Sequence, residues 1–192
     1  MILQDCQRLL VTSLVHARST SPGATPLGQT AASVITMVSA YESDGRAFFA
    51  RDDPVNTLAA YWYGFGWLHS GIALGLLVID TGGSGCPFTS AIEPLPAIHR
   101  EKLDEKTSRY LRLLDTALSS VTSAPDPSTP VYQFASQVLC VAGAYQERGR
   151  LRMAEGHKED ALACFSYGHG WLDAGVQAGL FAVHANRDIF TV

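Results

Sequence analysis

Cysteine is scarce in this chain, and its four positions, Cys6, Cys86, Cys140 and Cys164, show no close pairing. A zinc site or a disulfide framework is therefore not expected. Cys140 and Cys164 lie in apolar helical surroundings and read as core residues. Basic runs are also missing, and a formal net charge of −4 leaves no electrostatic footprint for nucleic acid. No segment alternates apolar and polar residues with period two, so no strands are predicted. There is no P-loop, no nucleophile elbow and no Cys-x-x-Cys. No catalytic residue, cofactor or bound metal is expected. The N-terminal stretch lacks the pattern of a signal peptide. The expectation is a soluble, cytoplasmic protein with no membrane contact.

What the chain does have is a long copy of itself. Tyr63-Gly64-Phe65-Gly66-Trp67-Leu68-His69-Ser70-Gly71 recurs as Tyr167-Gly168-His169-Gly170-Trp171-Leu172-Asp173-Ala174-Gly175. The shift that carries Tyr63 onto Tyr167 also aligns Arg8-Leu9-Leu10 with Arg112-Leu113-Leu114, Thr25-Pro26 with Thr129-Pro130, and Tyr41 with Tyr145. No gap is needed from about residue 5 to residue 77. An ungapped match of this length marks a tandem duplication, and its period is too long for a solenoid unit. Residues 1–80 form the first repeat, 81–96 a linker and 97–192 the second repeat. Each half is large enough to bury a small core.

Each half reads as three helices. The spacing predicts them over 3–18, 26–51 and 53–79, then 98–121, 130–155 and 158–184. Thr25-Pro26, Asp53-Pro54 and Thr129-Pro130 carry the N-cap and first-turn proline signals. The predicted fold is all-α: two tandem three-helix up-down bundles packed together with pseudo-two-fold symmetry. Leu58 to Ile79 contains no formal charge and is long enough to span a bilayer. The copied helix argues against a span, because it places His169, Asp173 and Gln177 in the same environment.

Gly64, Gly71 and Gly75 fall within about 40° of one line down the third helix, at 100° per residue. Gly168, Gly175 and Gly179 repeat the stripe in the sixth. Each glycine costs roughly 0.8–1 kcal/mol relative to alanine. The stripe is therefore expected to gain a close helix–helix approach, with Trp67 and Trp171 packed beside it. A neighbouring seam holds Leu162, Phe165, His169, Leu172 and Val176 at core-facing spacing. His169 reads as a partly buried histidine with a hydrogen-bond partner. A sharper reading makes Tyr167, His169 and Asp173 a ligand-binding face, with His169 and Asp173 one turn apart. The copies differ on the outer face, where Trp62, His69 and Ala73 stand opposite Ser166, Asp173 and Gln177. An apolar face of that kind marks a partner or oligomer contact if it is exposed.

The segment Glu159 to Gly175 resembles the archaeal domain-of-unknown-function family 357. That family carries a terminal A-hydrophobic-x-x-F-S-Y-A-H-G-W-L-D-A-G helix in a three-helix bundle. The resemblance covers the last two helices of the second half. The first half departs from it at Phe65 and His69, and Gly168 replaces the usual alanine. It implies an archaeal cytoplasmic origin and a bundle fold, and no activity. Arg152 and His157 have the spacing of the ribonuclease motif of HEPN domains, but the copy has Phe48 and Asp53 there. Taken together, the sequence points first to a non-catalytic interaction or self-assembly module with a protein partner or a homo-oligomer. The alternative is a small-ligand or metal-binding helical protein using His169 and Asp173; a HEPN-like RNA-processing enzyme comes third.

Overall fold

The structure is a computed structural model describing residues 1–80 and 91–191. Six helices carry the fold: α1 (Leu3–His16), α2 (Pro26–Ala50), α3 (Pro54–Ala73), α4 (Arg100–Ser119), α5 (Pro130–Ala154) and α6 (Lys158–Gln177). The all-α class predicted from the sequence is what the chain adopts. Cys86 and most of the predicted linker lie outside the described residues.

Local chemistry sets the helix starts. Pro26 and Pro54 occupy the first turns of α2 and α3, where a missing N–H costs nothing. The Thr25 hydroxyl accepts from the Gly28 N–H, and the Asp53 carboxylate accepts from the Asn56 N–H. Thr129 departs from its copy. Its hydroxyl donates to the Asp126 carbonyl, as that of Thr25 does to the Pro22 carbonyl, but it makes no cap bond to α5.

The helix ends correct the sequence reading. α3 stops at Ala73 and α6 at Gln177, each somewhat under two turns before the predicted end. Gly75 and Gly179 take positive φ, +70° and +73°, just past those ends. The Gly75 and Leu76 N–H groups return to the Ile72 and Gly71 carbonyls, and Gly179 and Leu180 return to Val176 and Gly175. This is a Schellman cap, in which glycine takes the left-handed position without a Cβ clash. Gly75 and Gly179 therefore terminate helices and are not part of a packing stripe.

Beyond the caps the chain forms strands, which the sequence reading did not anticipate. β1 (Ala17–Ser19) pairs antiparallel with β2 (Leu77–Ile79), Ala17 opposite Ile79. β3 (Val121–Ser123) pairs with β4 (Phe181–Val183), Val121 opposite Val183. Three residues are too few for period two to stand out in a sequence. The ladders fix the topology nonetheless. Each ties the end of a half's first helix to the end of its third, as an up-down-up order requires.

α3 and α6 pack on each other at the centre, and one hydrophobic cluster runs through both halves. A Cβ on Gly66 would lie within 3.0 Å of the Tyr167 carbonyl oxygen and 3.0 Å from Gly170 Cα. A Cβ on Gly170 would meet the Tyr63 carbonyl oxygen and Gly66 Cα. The reciprocity is what a two-fold relation between the repeats demands. The backbone crossing therefore sits at Gly66 and Gly170, off the predicted stripe. Gly64 and Gly168 instead seat α2 and α5, facing Tyr41 and Val38 in one half and Tyr145 and Ala142 in the other. Gly71 and Gly175 make room for Val34 with Leu77 and for Val138 with Phe181. Trp67 and Trp171 are buried beside this crossing.

Candidate functional site

The crossing of α3 and α6 brings residues of one repeat against the other. The Tyr63 hydroxyl, from the first, donates to Asp173 Oδ2 of the second at 2.5 Å. The Thr191 N–H donates to the same oxygen at 3.2 Å, and the Thr191 hydroxyl also donates to it. Tyr41 on α2 packs beside this group, its ring 4.5 Å from that of Tyr63. Asp173 is wholly buried and His169 is 3 % exposed. Burial pushes the Tyr63 hydroxyl well above its ordinary range, and the Asp173 charge pushes the same way. Burial drives the His169 imidazole down, partly offset by Asp173 and by the Ile189 backbone. The Phe190 ring stands edge-on to His169, with ring centres 6.3 Å apart.

Two atoms in this cluster stay unsatisfied. Asp173 Oδ1 and His169 Nε2 are buried and lack hydrogen-bond partners, and they lie 3.9 Å apart. Leaving a buried polar atom unpaired costs about 1–3 kcal/mol, and more for a charged group.

The related position on the other side of the crossing is filled differently. There the Tyr167 hydroxyl meets His69 Nδ1 at 2.9 Å. Phe65 occupies the place of His169 and packs 5.9 Å from the His69 ring. The predicted trio is thus divided. His169 and Asp173 stay together, while Tyr167 faces His69 and its place is taken by Tyr63. Tyr41, Phe190 and Thr191 belong to the cluster without having been foreseen. Each half's tyrosine serves the other half's acceptor, which spacing along a single helix does not reveal. The copy comparison held the usable signal, because Phe65 against His169 and His69 against Asp173 are two of the motif's three differences, Ser70 against Ala174 being the other.

Several predicted placements are corrected. Trp62 is fully buried, so no exposed apolar face exists at Trp62, His69 and Ala73. Ser166 and Asp173, placed on the outer face by the helical spacing, are fully buried too. The two helices are enclosed by each other and by their own repeats, which a copy-by-copy reading of exposure misses. Cys164 is buried, but Cys140 is exposed on the outer side of α5. Arg152 pairs with the Glu155 carboxylate at 2.8 Å, and His157 is the N-cap residue of α6. Among the described residues no group of three metal-ligating side chains is present, and no helix is long and apolar enough to cross a membrane.

His69 gives the site a pH signature. Burial lowers its pKa from 6.5 to about 4. The unfolded chain therefore takes up this proton at higher pH than the folded one. The stability His69 contributes is complete above pH 6.5 and is lost as pH falls toward 4. The loss amounts to about 3 kcal/mol across that window. Urea denaturation at stepped pH checks this against His69→Gln, which keeps a polar partner for Tyr167 but takes up no proton. The gap between the two proteins is expected to close by about that amount on acidification. Parallel curves would show that His69 titrates alike in both states.

The arrangement defines a tandem pair of three-helix repeats whose last helices share a buried polar seam. The chain belongs to the family described as a protein of unknown function, DUF357, whose sequence model matches residues 7–77 and 109–181, about three quarters of its length. The two matched segments are the two repeats. Neither the curated proteins nor the solved structures yielded a match to the chain.

Proposed function

We propose that this protein binds a small polar ligand, without catalysing a reaction, in the cluster formed by Tyr41, Tyr63, His169 and Asp173. The observation that supports it is the facing pair of buried, unpartnered atoms, Asp173 Oδ1 and His169 Nε2. The fold does not require that pair. The first repeat builds the same helix with Phe65 and His69 in those places and leaves no carboxylate there. The first repeat buries an unpartnered His69 Nε2, but a carboxylate oxygen is the costlier orphan, and its presence in one copy alone is better accounted for by a ligand than by packing.

The reading is tested by a thermal-shift screen of small charged and neutral hydrogen-bonding compounds. The wild-type chain is compared with His169→Phe, which installs the first repeat's residue. A true ligand at 100 times its Kd adds about 2.7 kcal/mol. For a chain of this size that is a rise of roughly 5–10 °C in Tm. The rise is expected in the wild type and not in the variant. If no compound separates the two proteins, the ligand-binding reading is wrong and the pair is a buried structural feature.

A further inference from the structure

We propose that the ligand carries a primary ammonium group, and that it enters by displacing the strap of residues 184–191 that follows β4. This rests on the ligand-binding reading above.

The chemical class follows from which atoms are left over. The Ile189 backbone favours the protonated form of the His169 ring, as a carbonyl accepting from a ring N–H does. With Nε2 the ring atom that lacks a partner, we assign the proton of the neutral ring to Nδ1. In the neutral imidazole favoured by burial, Nε2 is an acceptor. Asp173 Oδ1 is an acceptor as well. Two acceptors 3.9 Å apart cannot satisfy each other. They can share one donor head with two N–H groups, set about 2.8 Å from each. A cationic head also balances the buried Asp173 carboxylate, whose other oxygen meets only neutral donors, Tyr63 and Thr191. The rings of Tyr63 and Phe190 flank His169 at 5.4 and 6.3 Å and suit a cation. With only two such acceptors converging, a metal ion is poorly served.

The route follows from where the cluster lies. A groove of about 320 Å³ is lined by Ala32, Ser33, Thr36, Met37, Gln177 and Thr191. Met37 is one turn from Tyr41 on α2, and Gln177 is one turn from Asp173 on α6. Both helices thus lead from the groove to the cluster, and Thr191 stands between. The strap is built to move as a unit. It leaves β4 with His184 N–H on the Ser120 carbonyl, turns at Asn186 with φ +50°, and runs exposed through Asp188. Its inner end is held by the Phe190 ring and by Thr191 on Asp173. Asn186 Nδ2 also donates to the Ser120 hydroxyl at 3.0 Å, and a short segment with an exposed arc and a few such tethers opens locally at lower cost than global unfolding.

The test is NMR titration of the full chain with three probes: n-propylammonium, n-propanol and tetramethylammonium. Propylammonium is expected to shift the Ile189 and Thr191 amide resonances saturably. Asp173→Asn is expected to weaken that binding by about tenfold or more. Tetramethylammonium, a cation without N–H, should leave those resonances in place. Thr191→Val and Phe190→Ala loosen the anchor from two sides and should each raise the exchange rate of the bound probe by about tenfold. Unchanged exchange rates in both variants overturn the strap as the entry route. Equal binding of tetramethylammonium overturns the paired-acceptor argument. If propanol or another neutral donor binds these residues and propylammonium does not, the ammonium class is wrong while the ligand-binding reading stands.

Discussion

Gly66→Ala is expected to destabilise the fold by about 3 kcal/mol or more, a large effect for one added methyl group. The new Cβ would sit within 3.0 Å of the Tyr167 carbonyl oxygen, 3.0 Å from Gly170 Cα and 3.1 Å from the Trp171 nitrogen. All three are backbone atoms of α6, so no side chain can swing aside. Relief requires the two central helices to separate, and their separation disturbs the core they share. Gly143→Ala is the matched control. It lies within α5 with nothing within 4 Å of its would-be Cβ. There the same change should stabilise by up to about 1 kcal/mol, through helix propensity alone. Urea denaturation followed by circular dichroism measures both. A Gly66→Ala chain as stable as the wild type would mean that the crossing is looser than the structure has it. Gly170→Ala should behave like Gly66→Ala. The double variant should cost less than the two together, because either methyl alone already forces the helices apart.

That crossing also decides how much of the protein could be read in advance. The duplication, the six helices and the caps at Thr25 and Asp53 were legible, because each depends on residues near one another in sequence. The glycine stripe was visible as well, but its meaning was not. Helical angle alone grouped Gly64, Gly71 and Gly75, although only the structure separates a packing glycine from a capping one. Gly66 and Gly170 do not lie on that line, and their role depends on a partner helix in the other repeat. The candidate site has the same origin. His169 and Asp173 are one turn apart and were found together. Tyr63 reaches Asp173 only because the repeats cross, which transfers the tyrosine's role from the second copy to the first. Phe190 and Thr191 follow the repeated motif and have no pattern of their own, so nothing in the sequence pointed to them. The seam in the second half was expected to hold a partly buried histidine with a hydrogen-bond partner, whereas His169 is almost wholly buried and its Nε2 has none; the orphaned carboxylate beside it was not expected, since Asp173 was placed on the outer face.

Trp62 poses the sharpest choice between a surface and a core. As an exposed contact, Trp62→Glu would alter association and leave the fold intact. The side chain is fully buried, with its ring 5.8 Å from that of Phe65, and it joins the cluster that runs through both repeats. Truncation to alanine should then cost about 3–5 kcal/mol, the range for removing a large buried aromatic. That is a substantial part of the roughly 5–15 kcal/mol available to a domain. Trp62→Glu should cost more, because a carboxylate placed there must be buried or force the helices open. Its copy, Ser166, is also fully buried, and its hydroxyl is satisfied by the Leu162 carbonyl within the helix at 2.8 Å. The two repeats therefore fill related positions with very different volumes. Ser166→Trp should overpack its site and destabilise as well, since the second repeat is closed around the smaller side chain. Denaturation and size-exclusion chromatography on the three variants separate the possibilities. A Trp62→Glu protein that keeps its stability and changes only its elution volume would return Trp62 to the surface; loss of stability in all three places both positions in the core.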